Sequence, residues 1–212
     1  MPSLSDPTPC LTSTTPILDK ETGAVESMDA AHAPATPWQL LHLTHLAEHE
    51  LPLARLLQEV VQDGASIGFL PPISLAEARA YWQGVEQGLQ RGDRRLWLAL
   101  APAQQGGALL GSVQLSLCGK ANGSHRAEVE KLMVAPGARG HGLARALMGV
   151  MEQGAIQAQR RLLVLDTRVG DVASHLYQRL GYQAAGQIPD FAINGDGSLA
   201  ATQFFYKRLS LD

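Results

Sequence analysis

At 212 residues the chain is long enough for one domain with a substantial core. Its composition, 45% hydrophobic and 17% charged, is that of a folded but charge-poor protein, since ordinary globular chains carry ~25% charged residues. A net charge of −3 excludes a general electrostatic drive toward nucleic acid or an anionic membrane. The two cysteines, Cys10 and Cys118, are too few for a disulfide framework or a cysteine-built zinc site, and read as free thiols of a reducing compartment. No apolar run approaches the ~18–20 residues of a membrane span, and the N-terminus lacks a secretory pattern. A cytoplasmic protein is expected.

Residues 1–36 are rich in Pro, Ser, Thr and Ala and have almost no apolar periodicity. Such a segment buries too little to offset its ordering entropy and reads as a disordered leader; the domain is expected over 37–212. Trp38–Thr44 reads as a short strand. Residues 45–63 read as helical, with Leu53, Leu56, Leu57, Val60 and Val61 on one face; Pro52 either splits that stretch or sits in the first turn of its second half. Gly64–Pro72 reads as a loop with apolar side chains. Ser74-Leu-Ala-Glu77 is a capping box that starts a helix running to about Arg91. Arg94–Ala101, Ala108–Cys118 and His125–Ala135, separated by turns, form an antiparallel meander. A helix over Arg139–Gln159 follows, with Leu143, Leu147, Val150 and Met151 on its buried stripe. Leu162–Thr167 is a strand, Asp171–Leu180 a helix ended by Gly181, Tyr182–Gln187 a strand, and Leu199–Leu209 the last strand after a polar loop. The order predicts an α+β fold with one parallel crossover.

The segment between the third meander strand and the next helix carries the strongest chemical signal. Gly140 and Gly142 let the backbone approach a ligand, and the opening of a helix over Arg139, Gly140 and Gly142 adds N–H donors and partial positive charge. Arg139 and Arg145 add full charges at the rim. The combination suits a pyrophosphate. It is neither a Walker loop nor a dinucleotide fingerprint, because no Lys-Ser/Thr follows and the glycine spacing is wrong. Glu128 and Glu130 share parity with Leu132 and Val134, so all four are expected on one face. A rival signal is His45-Leu-Ala-Glu48-His49, which has the spacing of an inverted zinc-peptidase helix; a surface helix start is the simpler reading of those residues.

Arg139-Gly-His-Gly142-Leu-Ala144 resembles the Arg/Gln-x-x-Gly-x-Gly/Ala signature of the Gcn5-related N-acetyltransferase (GNAT) superfamily. Ala173-Ser-His-Leu-Tyr177-Gln-Arg-Leu-Gly181-Tyr182 is similar to its second signature, and the resemblance covers about residues 38–210. Gly64–Phe69, Gln114–Cys118, Arg126–Val134 and Leu165–Thr167 are most similar to the tabtoxin-resistance acetyltransferases of that superfamily. The resemblance implies the GNAT fold: a mixed central sheet, an antiparallel meander plus a splayed parallel pair, flanked by helices. It implies acetyl-CoA as co-substrate and no metal. Leu132, Met133 and Val134 then meet the pantetheine arm, and the segment Arg139, Gly140, His141, Gly142, Leu143, Ala144 and Arg145 holds the pyrophosphate. An asparagine that many relatives use to hold the cofactor is replaced by Gly170. Tyr177 falls where relatives protonate the leaving thiolate, and Glu128 where some place a general base, in a direct attack without a covalent enzyme intermediate. Phe69, Trp82, Glu130 and Asp190 lie in segments expected to flank the acceptor. The expected reaction is N-acetylation of a primary amine of a small molecule, such as a tabtoxin-like β-lactam amino acid or another antibiotic or toxin. Acetylation of protein N-termini or lysines and non-catalytic CoA sensing are the alternatives, with zinc chemistry at His45, Glu48 and His49 more remote. The partners expected are the small amine and, at most, a second copy of the chain.

Overall fold

The computed structural model describes residues 38–210 and a two-residue strand, β1 (Ile17–Leu18). The expectation for the leader therefore falls outside the described residues apart from β1, whose backbone pairs in parallel with Leu40 and Leu41. The remaining strands are β2 (Gln39–Leu43), β3 (Arg94–Leu100), β4 (Leu109–Leu117), β5 (Arg126–Val134), β6 (Leu162–Arg168), β7 (Gln183–Ile193) and β8 (Leu199–Arg208). Among the described residues four helices accompany them: α1 (Glu50–Gln62), α2 (Leu75–Arg91), α3 (Leu143–Gln157) and α4 (Val172–Arg179). The sheet runs β1-β2-β3-β4-β5-β6-β8-β7, antiparallel from β2 to β5, parallel across β5–β6, and antiparallel again to β7. This is the expected GNAT fold.

Each face of the sheet has its own core. On one face α3 and α4 cover Trp97, Val113, Leu115, Val129, Leu163 and Phe205; on the other, α1 and α2 cover Leu43, Leu96, Leu98 and Met133. The stripe Leu143, Leu147, Met148 and Met151 of α3 is fully buried, and each such side chain contributes roughly 1.5–3 kcal/mol by leaving water. Local signals hold where they are local. Ser74 Oγ accepts from the Glu77 amide at 3.1 Å, and the Ser74 amide donates to Glu77 Oε2 at 2.9 Å, so α2 starts at its capping box.

Three element ends and the parity of one strand differ from the sequence reading. The first helix starts at Glu50 and not at His45; Ala47–His49 is a single 3-10 turn, so His45 and His49 do not share a helix face. Among the described residues no group of three or more His, Cys, Asp or Glu side chains is placed to hold a metal. Helix α3 starts at Leu143, with Arg139–Gly142 in the loop before it, because Gly140 (φ 81°) and Gly142 (φ 85°) are left-handed and cannot continue a right-handed helix. Strand β7 runs past Gln187 to Ile193 and takes Pro189 and Asp190 into an irregular stretch between Ile188 and Ala192. It can do so as the sheet's edge, where an unpaired backbone tolerates proline.

The fourth difference is in β5 and reorganises the site. Ser112 pairs with Met133 and Gln114 with Glu130, so Lys131 and Leu132 both lie opposite Val113. Lys131 is left-handed, φ 50°, the mark of a β-bulge. One extra residue reverses the parity of everything after it. Glu128, Glu130 and Met133 therefore lie toward α1 and α2, whereas Leu132 and Val134 pack on the α3 side. The four residues expected on one face are split between two.

Candidate active site

Parallel pairing between β5 and β6 covers only Arg126–Leu162, Ala127–Leu163 and Glu128–Val164. Beyond it the strands diverge, each held by its outer neighbour, β4 or β8. The gap opens into a cavity of about 1040 Å³, ample for the arm of a large cofactor together with a small acceptor. It is reached from both faces of the sheet. Residues 129–134 of β5 and 166–168 of β6 form its two sides, residues 64–68 cover it, and the loop before α3 closes one end.

That end is built for an anion. The N–H groups of the first turn of α3 have no intrahelical acceptor, and Gly140, Gly142, Leu143, Ala144 and Arg145 line the cavity. No Cβ at Gly140 or Gly142 would touch a neighbour, but both need their positive φ. The loop therefore turns its amides inward, where the helix dipole adds to them. His141 is exposed and outside the lining. Arg139 is committed elsewhere: its Nη1 forms an ion pair with Asp63, just past the end of α1, and its Nε donates to the Val134 carbonyl at 3.3 Å. It ties the loop to α1 and β5; among the described residues Arg145 and Arg179 line the cavity as cations without an ion pair.

At the other end stand the ionisable groups. Glu128 lines the cavity; burial, then the nearby carboxylates Glu130 and Asp166, raise its pKa above the ordinary carboxylate range. Asp166 also lines it, but its Oδ2 accepts from Thr202 Oγ1 at 2.7 Å, as suits a strand-end acceptor. Tyr177 reaches the cavity from α4, on the opposite face of the sheet from Glu128. Its ring is buried against Tyr182 and Phe205. Burial, then Asp171 and Asp166, push its hydroxyl upward, so it stays protonated at neutral pH and can donate.

The expected acceptor residues separate. Glu130 lines the cavity but is paired with Arg94 Nη1 at 2.9 Å. Trp82 is fully buried in the α1–α2 core and reaches no cavity surface; one turn of α2 turns its face inward. Asp190 is exposed on the edge strand and outside the cavity lining. Phe69 is half-buried, edge-on to Tyr81 with ring centroids 5.2 Å apart, and supports the covering loop from behind. Residues without a sequence signal join the site: Lys131, Arg168, Ala192 and Thr202 line the cavity. Behind Lys131, Gln114 accepts from Arg94 and is hydrogen-bonded to Tyr81, whose hydroxyl burial pushes up to about 12.

Residues 70–182 match the sequence profile of the family described as Acetyltransferase (GNAT) family. The chain belongs to the GNAT acetyltransferase family. Its reaction class is therefore acetyl-CoA-dependent N-acetylation. Solved structures agree on the GNAT fold. A GCN5-related N-acetyltransferase from Kribbella flavida is 23% identical, with a TM-score of 0.67, covering 82% of this chain and 98% of that one. A ribosomal-protein-alanine N-acetyltransferase from Brucella melitensis is 21% identical, with a TM-score of 0.66 over 78% and 98%. A Salmonella typhimurium protein solved with its cofactor acetyl-CoA is 16% identical, with a TM-score of 0.66 over 82% and 95%. The cavity of this GNAT chain fits acetyl-CoA: a glycine-turned row of free amides for the pyrophosphate and an unpaired β5 edge for the arm. Among the described residues no helix is long and apolar enough to cross a membrane.

Proposed function

We propose that the protein transfers the acetyl group of acetyl-CoA to the primary amine of a small molecule by direct attack. The observation that carries this reading is the meeting of Glu128 and Tyr177, from opposite faces of the sheet, in one cavity that the β5–β6 divergence opens. Acyl transfer to an amine needs the ammonium deprotonated and the leaving thiolate stabilised. Glu128, with its raised pKa, accepts the proton from the ammonium, directly or through water. Tyr177 donates to the departing sulfur. The amides of Gly140–Arg145 hold the pyrophosphate, and the β5 backbone around Leu132–Val134 orients the arm.

The acceptor class is read from size and enclosure. Arg168 Nη2 donates to the Gly64 carbonyl at 3.4 Å and its Nη1 to Asn194 Oδ1 at 3.1 Å. These bonds tie the covering loop and the turn after β7 to β6, a tethered wall beside the cavity that favours a small acceptor over a protein of the kind named for the Brucella neighbour. Within small amines, the tabtoxin-like segments noted above favour a β-lactam amino acid or a related amino compound. Screening a panel of amines by release of CoA thiol tests the reading. Acetylation of protein N-termini in preference to every small amine would overturn it, as would tight acetyl-CoA binding with no turnover of any amine.

A further inference from the structure

Among the described residues Lys131 is a cation with no carboxylate in direct ion-pair contact, though Glu128, Glu130 and Asp166 stand in its field. It sits on the β5 bulge, and its left-handed backbone, φ 50°, turns it out of the regular alternation into the cavity wall. Its Nζ lies 5.5 Å from the centroid of the Tyr81 ring and 5.8 Å from that of Phe69. The covering loop approaches so closely that a Cβ on Gly68 would lie 3.7 Å from Nζ. The neighbouring carboxylate is taken: Glu130 bonds Arg94 at 2.9 Å. Among the described residues no carboxylate comes within ion-pair distance of Nζ. Burial lowers its pKa; Glu130, Glu128 and Asp166 pull it upward from beyond ion-pair distance, and Arg94 adds to the lowering. Two ring faces replace only part of the water that a half-buried ammonium gives up.

The same cavity presents Glu128 and Asp166 to an incoming ammonium. Its walls therefore offer carboxylates for a cation and a positioned, unpaired ammonium for an anion. Resting on the acyl-transfer reading above, we propose that the acceptor carries a carboxylate as well as its amine, an amino-acid-class molecule, and that Lys131 Nζ binds that carboxylate and sets specificity. The bond formed is a charge-assisted N–H···O contact, which completes the ammonium's missing ionic partner.

The test compares α-, β- and γ-amino acids with their carboxamides and decarboxylated amines, using the full chain with acetyl-CoA. Wild-type kcat/KM should favour the acids by roughly ten- to a hundredfold, the range of a hydrogen bond to a charged group. Lys131→Met keeps the stem on the rings and removes the charge. It should raise KM for the acids by a similar factor but not for the carboxamides, and leave acetyl-CoA affinity intact; because Lys131 also holds down the Glu128 pKa, any change in kcat should fall equally on acids and carboxamides, and Lys131→Arg should keep the preference. Equal turnover of acids and carboxamides by the wild type overturns the proposal without need of any variant, as does a preference that survives in Lys131→Met. If acetyl-CoA binds but no amine is acetylated, the acyl-transfer reading fails on its own. Equilibrium binding of the same acids and carboxamides to the CoA complex then decides for Lys131, and lack of an acid preference in that titration overturns it.

Discussion

Gly154 of α3 lies beneath Trp97 of β3. A Cβ on it would sit 2.2 Å from Cζ2 and 2.7 Å from Cη2 of the indole, against ~3.5–4.0 Å for two carbons in contact. Trp97 is 3% exposed and stacked near His42, ring centroids 5.1 Å apart, so it cannot swing into solvent. Helix and strand must separate by more than an ångström. Overpacking of this kind costs ~1–3 kcal/mol, and the helix preference of alanine over glycine offsets ~0.5–1 kcal/mol. Gly154→Ala should therefore destabilise by about 1–2 kcal/mol, a fall in Tm of about 2–8 °C for a domain of this size. Gly149 is on the same helix, exposed, and a Cβ there would have nothing within 4 Å; Gly149→Ala should raise Tm by a few degrees on propensity alone. Thermal melts followed by circular dichroism give both shifts. Because the seat of α3 aims the amides of Gly142–Arg145, Gly154→Ala should also weaken acetyl-CoA binding in calorimetry, and Gly149→Ala should not. Shifts of the same sign in the two variants, or an unchanged Gly154→Ala, would refute the packing of α3 and with it the fixed aim of the loop amides.

Three further outcomes bear on the site. Asn and Asp tolerate the left-handed backbone of Gly142 about equally, so Gly142→Asn and Gly142→Asp should melt together. The Asp variant should bind acetyl-CoA about thirtyfold more weakly, since two like charges about 8 Å apart near a surface cost ~2 kcal/mol; equal affinities would remove the pyrophosphate from this loop. Tyr177→Phe keeps the rings packed against Tyr182 and Phe205. It should lower kcat by ~10²–10⁴ with little change in acetyl-CoA affinity, and a wild-type kcat with chemistry rate-limiting would make the hydroxyl structural. The raised pKa of Glu128 means that the folded state penalises its ionised form. That penalty is present above the folded pKa and vanishes below the unfolded one, about 4.3. Glu128→Gln should thus melt higher than wild type at pH 7, with the gap closing toward pH 4. Its activity should fall most at low pH and recover in part as the amine deprotonates; a pH-independent defect would move the base to another group.

What the sequence by itself determined is what depends on neighbours in the chain. The capping box at Ser74 and Glu77, the Gly181 end of α4 and the buried stripe of α3 each follow from a few adjacent side chains and the dihedrals those allow. The glycine-rich loop before α3 is visible in the sequence for the same reason, whereas Tyr177 stands out only through its place in a family signature. Tertiary structure decided everything that turned on parity and partners. Alternation along β5 predicts one face for Glu128, Glu130, Leu132 and Val134, but pairing with β4 inserts a bulge at Lys131, which no local residue announces, and splits them. Trp82 and Asp190 have plausible sequence positions, yet one is core and the other edge, because burial depends on which elements pack above them. Glu130 is paired because Arg94, 36 residues away, lies beside it across the sheet; Lys131 is left unpaired by the same pairing. Charge near a site is written in the sequence, but whether that charge is already satisfied is settled only by the strands that the fold sets side by side.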